Sequence, residues 1–322
     1  MPELLENPRS GRVRAVAALT KKDVRQETRL FLLEGPQAVA EALEYRPDLL
    51  RELFATPTAA ERHPEIADAA EAAGLELEYV TEQVLAAMAD TVTPQGVVAV
   101  CEQFPTSVKD VFPAAALDLA RSAQGQRASV ARNAPGEPAS PAPASDEDVA
   151  SDDAPVLPGL VAILEQVRDP GNAGTIIRAA DSAGADAVVM TGRSVDPYNP
   201  KVVRSTTGSL FHVPVSVGVG LDTAIERARA AGYTILAADI SGDDLPDVRA
   251  DGMLDGPTAW VFGNEARGLT AEDLALVDRA VRVPIYGLAE SMNLATAASV
   301  CLYESAFAQR AAVAAGRYPS GR

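Results

Sequence analysis

Short apolar runs, each closed by a polar turn and followed by a segment with helical spacing, recur through most of this 322-residue sequence. That alternation constrains the fold more than any other feature. In the second half the runs are GLVAIL (159–164), ADAVVM (185–190), HVPVSV (212–217), YTILAADI (233–240), PTAWVF (257–262) and VRVPI (281–285). They have strand length and are mostly too continuous to leave one face in water, as expected of buried parallel strands. Between them the spacing predicts helices over 175–183, around Lys201 and Arg204, over 221–231, from Thr270, and from Asn293 to about Ala315, where Gly316 is a natural stop. Regular alternation of this kind means an α/β fold with a mostly parallel sheet covered on both faces.

The first half reads as a smaller α/β domain. LFLLEG (30–35), LRELFAT (50–56), ELEYV (76–80) and GVVAVCEQF (96–104) are its expected strands. Helices are expected over 36–45, over 58–73, and from a Thr81 cap through Met88. The domain is placed at 1–107, a linker at 108–157 and the second domain at 158–322. Residues 121–157 are rich in Pro, Ala, Ser and acids, with almost no large apolar side chain, and are expected to be disordered.

Charge needs to be read locally. The net charge of −17 argues against a polyanionic partner. Six acids, however, fall within 137–153, in the expected linker. Residues 1–33 are basic: Arg9, Arg12, Arg14, Lys21, Lys22, Arg25 and Arg29 stand against Glu3, Glu6, Asp23 and Glu27. This arm suits a local nucleic-acid contact, and equally a solvated amphipathic helix. No apolar run approaches the ~18 residues of a membrane span, and no apolar segment follows the first charges, so neither a membrane nor a secretory signal is expected. Cys101 and Cys301 are the only cysteines, in no metal-ligand spacing, which fits a reduced, cytoplasmic chain with no metal site.

Three polar loops each leave the end of an apolar strand in the second domain. The first, EQVRDPGNAGTIIRAA (165–180), carries Asn172 and Arg178. The second is GNEARG (263–268), with Glu265; the third, IYGLAESMNLA (285–295), carries Ser291 and Asn293. A parallel sheet would bring all three to its carboxyl edge, where open α/β sheets bind ligands. Each could also be a turn or a helix cap. A phosphate-binding GxxxxGK[ST] loop is absent, and Gly171 and Gly174 give GxxG rather than GxGxxG. His63 and His212, the only histidines, read as structural, so no hydrolase triad is available. Amides, hydroxyls, one Glu and one Arg remain, a set better suited to orienting reactants than to difficult bond breaking.

The ordered blocks DPGNAGTIIRAADSAGADAVVM, KVVRSTTGSLFHVPV, VFGNEARGLT and VPIYGLAESMNLATAASVCLYE resemble the motif series of the SpoU (TrmH-like) branch of the SPOUT RNA methyltransferases, over nearly all of 159–310. KKDVRQETRLFLLEG and TPQGVVAV resemble the small substrate-binding domain that precedes the catalytic domain in many members. Met292, where leucine is common, and the long acidic linker depart from the pattern. The resemblance implies an S-adenosylmethionine-dependent 2′-O-ribose methyltransferase, a deep trefoil knot, and a homodimer that completes each site at its interface. It implies adenosyl contacts near Gly263, Asn264, Gly268, Ile285 and Leu294. Arg178 would handle the 2′-hydroxyl, as general base or as stabiliser of the alkoxide. Asn172 would support the arginine or the ribose, Glu265 would order the site, and Ser291 and Asn293 would position substrate or cofactor. RNA is the expected partner, rRNA ahead of tRNA, with Arg14, Lys21, Lys22, Arg25 and Arg204 (beside Lys201) as contacts. A non-catalytic knotted RNA-binding or ribosome-assembly factor and a small-molecule transferase are the competing readings.

Overall fold

A computed structural model describes residues 4–113 and 159–317. The disorder expected over 121–157 lies outside them.

Two sheets form the scaffold. The first has four strands: β1 (Leu30–Glu34), β2 (Leu50–Ala55), β3 (Leu77–Tyr79) and β4 (Val97–Glu102), in the order β1-β4-β2-β3. β4 runs antiparallel to both neighbours, and β3 is parallel to β2. The second has six: β5 (Leu160–Glu165), β6 (Ala187–Thr191), β7 (Val215–Val219), β8 (Thr234–Asp244), β9 (Thr258–Phe262) and β10 (Arg279–Arg282). Its order is β10-β8-β9-β5-β6-β7, and every pairing is parallel. β5, β6 and β9 are buried at every position, which accounts for their unbroken apolar runs.

The basic arm is not free. It folds as α1 (Gly11–Ala18) and α2 (Lys22–Thr28), and Val13, Val16 and Leu19 are buried with Leu32, Phe54 and Leu85 in a small core of the first domain. α3 (Pro36–Tyr45) matches expectation. The single helix expected over 58–73 is two, α4 (Pro57–Arg62) and α5 (Pro64–Ala72), because Pro64 supplies no N–H and keeps His63 out of the helical region. α6 (Glu82–Met88) has its Thr81 cap. The first residues of the expected linker form α7 (Val108–Val111), which leads to Phe112, buried against Tyr233.

In the second domain α8 (Pro170–Ala183) starts five residues before the expected helix. It packs against α9 (Pro200–Thr206) and the long last helix, α13 (Leu294–Ala314). α10 (Leu221–Ala230), α11 (Leu245–Ala250) and α12 (Ala271–Ala275) fill the remaining crossovers; no pattern in the sequence had pointed to α11. His212 is not in a strand. The amides of His212 and Val213 donate to Ser209 O, closing a 3-10 turn, and β7 begins only after Pro214. Trp260 of β9 is fully buried, and its indole N–H donates to Ser305 Oγ of α13 at 2.8 Å, fixing the last helix on the sheet.

The two domains share one apolar core. Phe31 of β1 packs on Tyr198 at 4.9 Å between centroids, with Phe104 and Phe211 alongside. Arg25, only 1% exposed, reaches from α2 to Asp196: Nε and Nη2 donate to Asp196 Oδ2 at 3.0 and 2.6 Å, and Nη1 to the carbonyls of Leu19 and Thr20. Arg204 of α9 donates to Glu34 (2.8 Å) and Asp90 (2.9 Å) of the first domain. Arg25 therefore has no guanidinium surface left for a phosphate, and Arg204 is committed to two carboxylates. Arg25 is corrected from an RNA contact to an interdomain strut, and Arg204 is a second strut between the domains. Arg14, Lys21 and Lys22 remain exposed.

Candidate active site

Asp169 begins the first wall. Its carboxylate accepts from the Asn172 amide at 2.8 Å as the N-cap of α8, and Pro170 occupies the first helical position, where a missing N–H costs nothing. DPGN is thus the start of the helix, and Asn172 sits in its first turn.

GNEARG forms the second wall, directly after β9. Glu265 Oε1 accepts from the Asp169 amide at 2.9 Å and Oε2 from the Arg168 amide at 3.1 Å, so this side chain staples the second loop to the first. Asn264 Nδ2 donates to Gln166 O at 2.8 Å, and Gly268 N donates back to Asn264 O at 2.8 Å. Gly263 lies beneath the loop. A Cβ there would stand 2.6 Å from Gly268 C and 2.8 Å from Leu269 N, so only glycine lets the two backbone segments approach this closely.

The third wall ends in Asn293, the N-cap of α13. Its Oδ1 accepts from the amides of Ala295 (2.9 Å) and Thr296 (3.2 Å), and its Nδ2 donates to Asn172 Oδ1 at 3.0 Å. All three loops therefore meet at the carboxyl edge of the parallel sheet.

They enclose a cavity of ≈ 630 Å³ lined by Asn172, Asn264, Glu265, Gly268, Ile285, Ser291, Asn293 and Leu294 among the expected residues. Gly263 is buried behind that lining, and Arg178 is not part of it. Arg178 is exposed further along α8, where its Nη1 donates to Thr207 Oγ1 at 3.3 Å. Asp239, Ile240, Arg267, Arg282 and Val283 also line the cavity and were missed from sequence. Asp239 had a legible signal, an acid at the carboxyl end of the YTILAADI run. It is delivered by a jump in register: Ala280 pairs with Ala237 but Val281 with Asp243, so β8 bulges away from β10 over 238–242.

The cavity combines apolar side chains (Val283, Ile285, Met292, Leu294) with amides and the carboxylates of Asp239 and Glu265. Arg267 and Arg282 stand in the same lining, and an apolar slot edged by polar groups of both signs fits a flat base that carries a charged, polar tail. Burial pushes the thiols of Cys101 and Cys301 far above the ordinary range, so neither serves as a nucleophile. His212 is held by Glu41 and Asp181, outside the cavity.

Comparison with known proteins converges on this reading. Residues 159–303 match the SpoU rRNA Methylase family, and residues 32–107 match the RNA 2′-O ribose methyltransferase substrate binding domain. The chain is 28% identical over 303 residues, 93% of its length and 97% of the relative's, to the 23S rRNA (guanosine(2553)-2′-O)-methyltransferase RlmP of Bacillus subtilis. It is 39% identical over 151 residues, 45% of its length and 52% of the relative's, to a 23S rRNA (uridine(2479)-2′-O)-methyltransferase of Streptomyces viridochromogenes. An AdoMet-bound rRNA methyltransferase from Sinorhizobium meliloti superposes with a TM-score of 0.70 at 28% identity, covering 94% of this chain and 97% of that one. AviRb from Streptomyces viridochromogenes, in complex with AdoMet, gives 0.70 at 26% identity, with 94% and 100% covered. Both halves of the sequence, in the expected order, thus identify the chain as a member of the SpoU rRNA methylase family.

Proposed function

We propose that this protein transfers a methyl group from S-adenosylmethionine to a ribose 2′-hydroxyl of large-subunit rRNA. The observation that carries the reading is the convergence of Asn172, Glu265, Ser291 and Asn293 on one cavity, within the segment that matches the methylase family. Ile285, Leu294, Asn264 and Gly268 would hold the cofactor, whose sulfonium supplies a methyl group already activated for transfer.

The chain's own residues then have to align and stabilise. Alignment of the attacking oxygen with the methyl carbon is worth several kcal/mol, on the order of what well-oriented intramolecular reactions gain. Glu265 keeps the second loop in register with the first, and the Asn172–Asn293 pair holds the third. Arg178 faces the ribose. A guanidinium stays protonated in proteins, so its part is to stabilise the developing alkoxide and to grip the adjacent phosphate.

Arg178 lies off the cavity of its own chain, and a homodimer is therefore part of the proposal: a second copy completes each site. Support comes from apolar side chains left in water, Tyr303 and Phe307 on α13 and Tyr286 and Leu288 on the third loop. A trefoil knot formed by the loops around 263–268 and 285–294, with α13 threaded through, belongs to the same reading. Arg14, Lys21 and Lys22 would meet RNA phosphates, and an rRNA substrate places the protein in the cytoplasm. Among the described residues, no helix is long and apolar enough to cross a membrane.

The test is transfer of labelled methyl from S-adenosylmethionine to an rRNA fragment by the purified protein, followed by alkaline hydrolysis. A 2′-O-methylated dinucleotide resistant to hydrolysis is expected; label in a base, or a protein that does not bind S-adenosylmethionine in calorimetry, would refute the reading.

A further inference from the structure

A second cavity, of ≈ 320 Å³, opens between the two domains beside Arg178. The first domain contributes Gln37 at the start of α3 and Thr93 and Gln95 from the TPQG loop before β4; the second contributes Arg204 and Thr207 from the end of α9. Thr207 is the residue whose hydroxyl accepts from Arg178 at 3.3 Å. The cavity therefore adjoins the arginine that the proposed function places at the ribose.

We propose that this cleft receives the base of the nucleotide whose ribose is methylated, so that the first domain reads the identity of the target. The proposal rests on the methyl-transfer reading above and extends it. Phosphate is the wrong occupant: Arg204, the cation in the wall, is already neutralised by Glu34 and Asp90. A nucleobase fits better. The side chains of Gln37, Thr93 and Gln95 make no hydrogen bond among the described residues, so their donors and acceptors are free. A glutamine amide offers both an acceptor and donors, the pair needed for two hydrogen bonds to a base edge. Ala38, Val97 and Val98 supply an apolar wall, and the volume is at the lower end of the range for small-ligand sites.

The cleft is also built to hold its shape. Gln95 Oε1 lies 2.8 Å from where a Cβ on Gly35 would stand, so the bare glycine, at φ 94°, makes room for the amide. Glu34 links the two sides, accepting from Arg204 Nη1 at 2.8 Å and from the Thr91 amide at 3.2 Å. This gives the interdomain struts a purpose, since a reader of base identity must not move relative to Arg178.

The test uses the full-length protein and an rRNA fragment containing the methylated position, made in four versions that differ only in the target base. Methyl transfer gives kcat/KM for each version with wild type, Gln95→Glu, and the Thr93→Val/Gln95→Ala double variant; calorimetry gives S-adenosylmethionine affinity. Wild type should prefer one base by about tenfold or more, the discrimination typical of a paired hydrogen-bond contact. The double variant should lose about tenfold in kcat/KM on that base and little on the others, flattening the preference, with cofactor affinity within about twofold. Gln95→Glu, which keeps the shape but loses the N–H donors, should change which base is preferred. Unchanged discrimination in both variants, or an equal loss on all four bases, would overturn the proposal while the methyltransferase reading stands. Absence of methyl transfer by wild type to any version would overturn both.

Discussion

Asn172 and Asn293 stand 121 positions apart in sequence, yet the Nδ2 of Asn293 donates to the Oδ1 of Asn172 at 3.0 Å. The bond joins the first turn of α8 to the cap of α13 across the mouth of the larger cavity. Asn293→Ala removes both this bond and an N-cap worth about 1 kcal/mol, whereas Asn172→Ala removes the bond alone. Both substitutions are expected to weaken S-adenosylmethionine binding, and the double variant less than the sum of the singles, with a coupling of about 0.5 kcal/mol or more. Calorimetry on the four proteins measures it; strictly additive losses would mean that the bond does not organise the cavity.

Arg178 is exposed and outside the cofactor cavity, so its removal should leave cofactor affinity within about twofold while kcat falls by about a hundredfold or more, the usual loss on deleting a donor to a developing oxyanion. Single-turnover methyl transfer measures the effect. Near-normal turnover by Arg178→Ala would remove this residue from the mechanism.

The cations of the amino-terminal helices divide into two groups with different consequences. Arg25→Ala removes a buried guanidinium and leaves the partly exposed Asp196 and the carbonyls of Leu19 and Thr20 without their donor, and should cost about 2–3 kcal/mol of stability, seen as a lower denaturant midpoint. Substitution of Arg14, Lys21 and Lys22 by Ala should leave that midpoint unchanged. It should instead flatten the salt dependence of RNA binding by about 0.7 for each single-strand phosphate that is no longer neutralised. A salt slope unaltered by the triple variant would rule these three out as RNA contacts.

His212 bridges the domains, with Nδ1 2.9 Å from Asp181 and Nε2 3.1 Å from Glu41. Burial alone would lower its pKa, but hydrogen bonds and charge from Asp181, then Glu41, outweigh burial and raise it above the ordinary 6.5. The folded-state value is thus higher than the unfolded one, so the contribution is complete below about pH 6.5 and is lost as pH rises through the folded value. The difference in Tm between wild type and His212→Gln should be largest near pH 6 and shrink as the pH rises above the ordinary imidazole range. A difference independent of pH would show that the bridge is held by uncharged hydrogen bonds.

Local signals in the sequence carried much of this structure. Unbroken apolar runs marked β5, β6 and β9 because both faces of those strands are covered, and Thr81, Asn293 and Gly316 marked helix ends through local backbone chemistry. The three loops of the larger cavity were legible because a parallel sheet sends every strand end to one edge. What stayed hidden depends on contacts distant in sequence. Arg25 and Arg204 look like surface cations until their carboxylates, 171 and 170 positions away, are seen. Asp239 reaches its cavity through a register shift that no periodicity encodes. The Ser209 turn that takes His212 out of its strand lies just upstream of Pro214, and the DPGN motif reads as a loop unless Asp169 is recognised as a cap.

Ribose-methylation mapping of total RNA from cells with and without this protein reads its activity on the native substrate. The loss of one 2′-O-methyl group in large-subunit rRNA is expected, restored by the wild-type protein and not by Arg178→Ala. An unchanged ribose-methylation map, or restoration by Arg178→Ala as complete as by wild type, would contradict the proposed function.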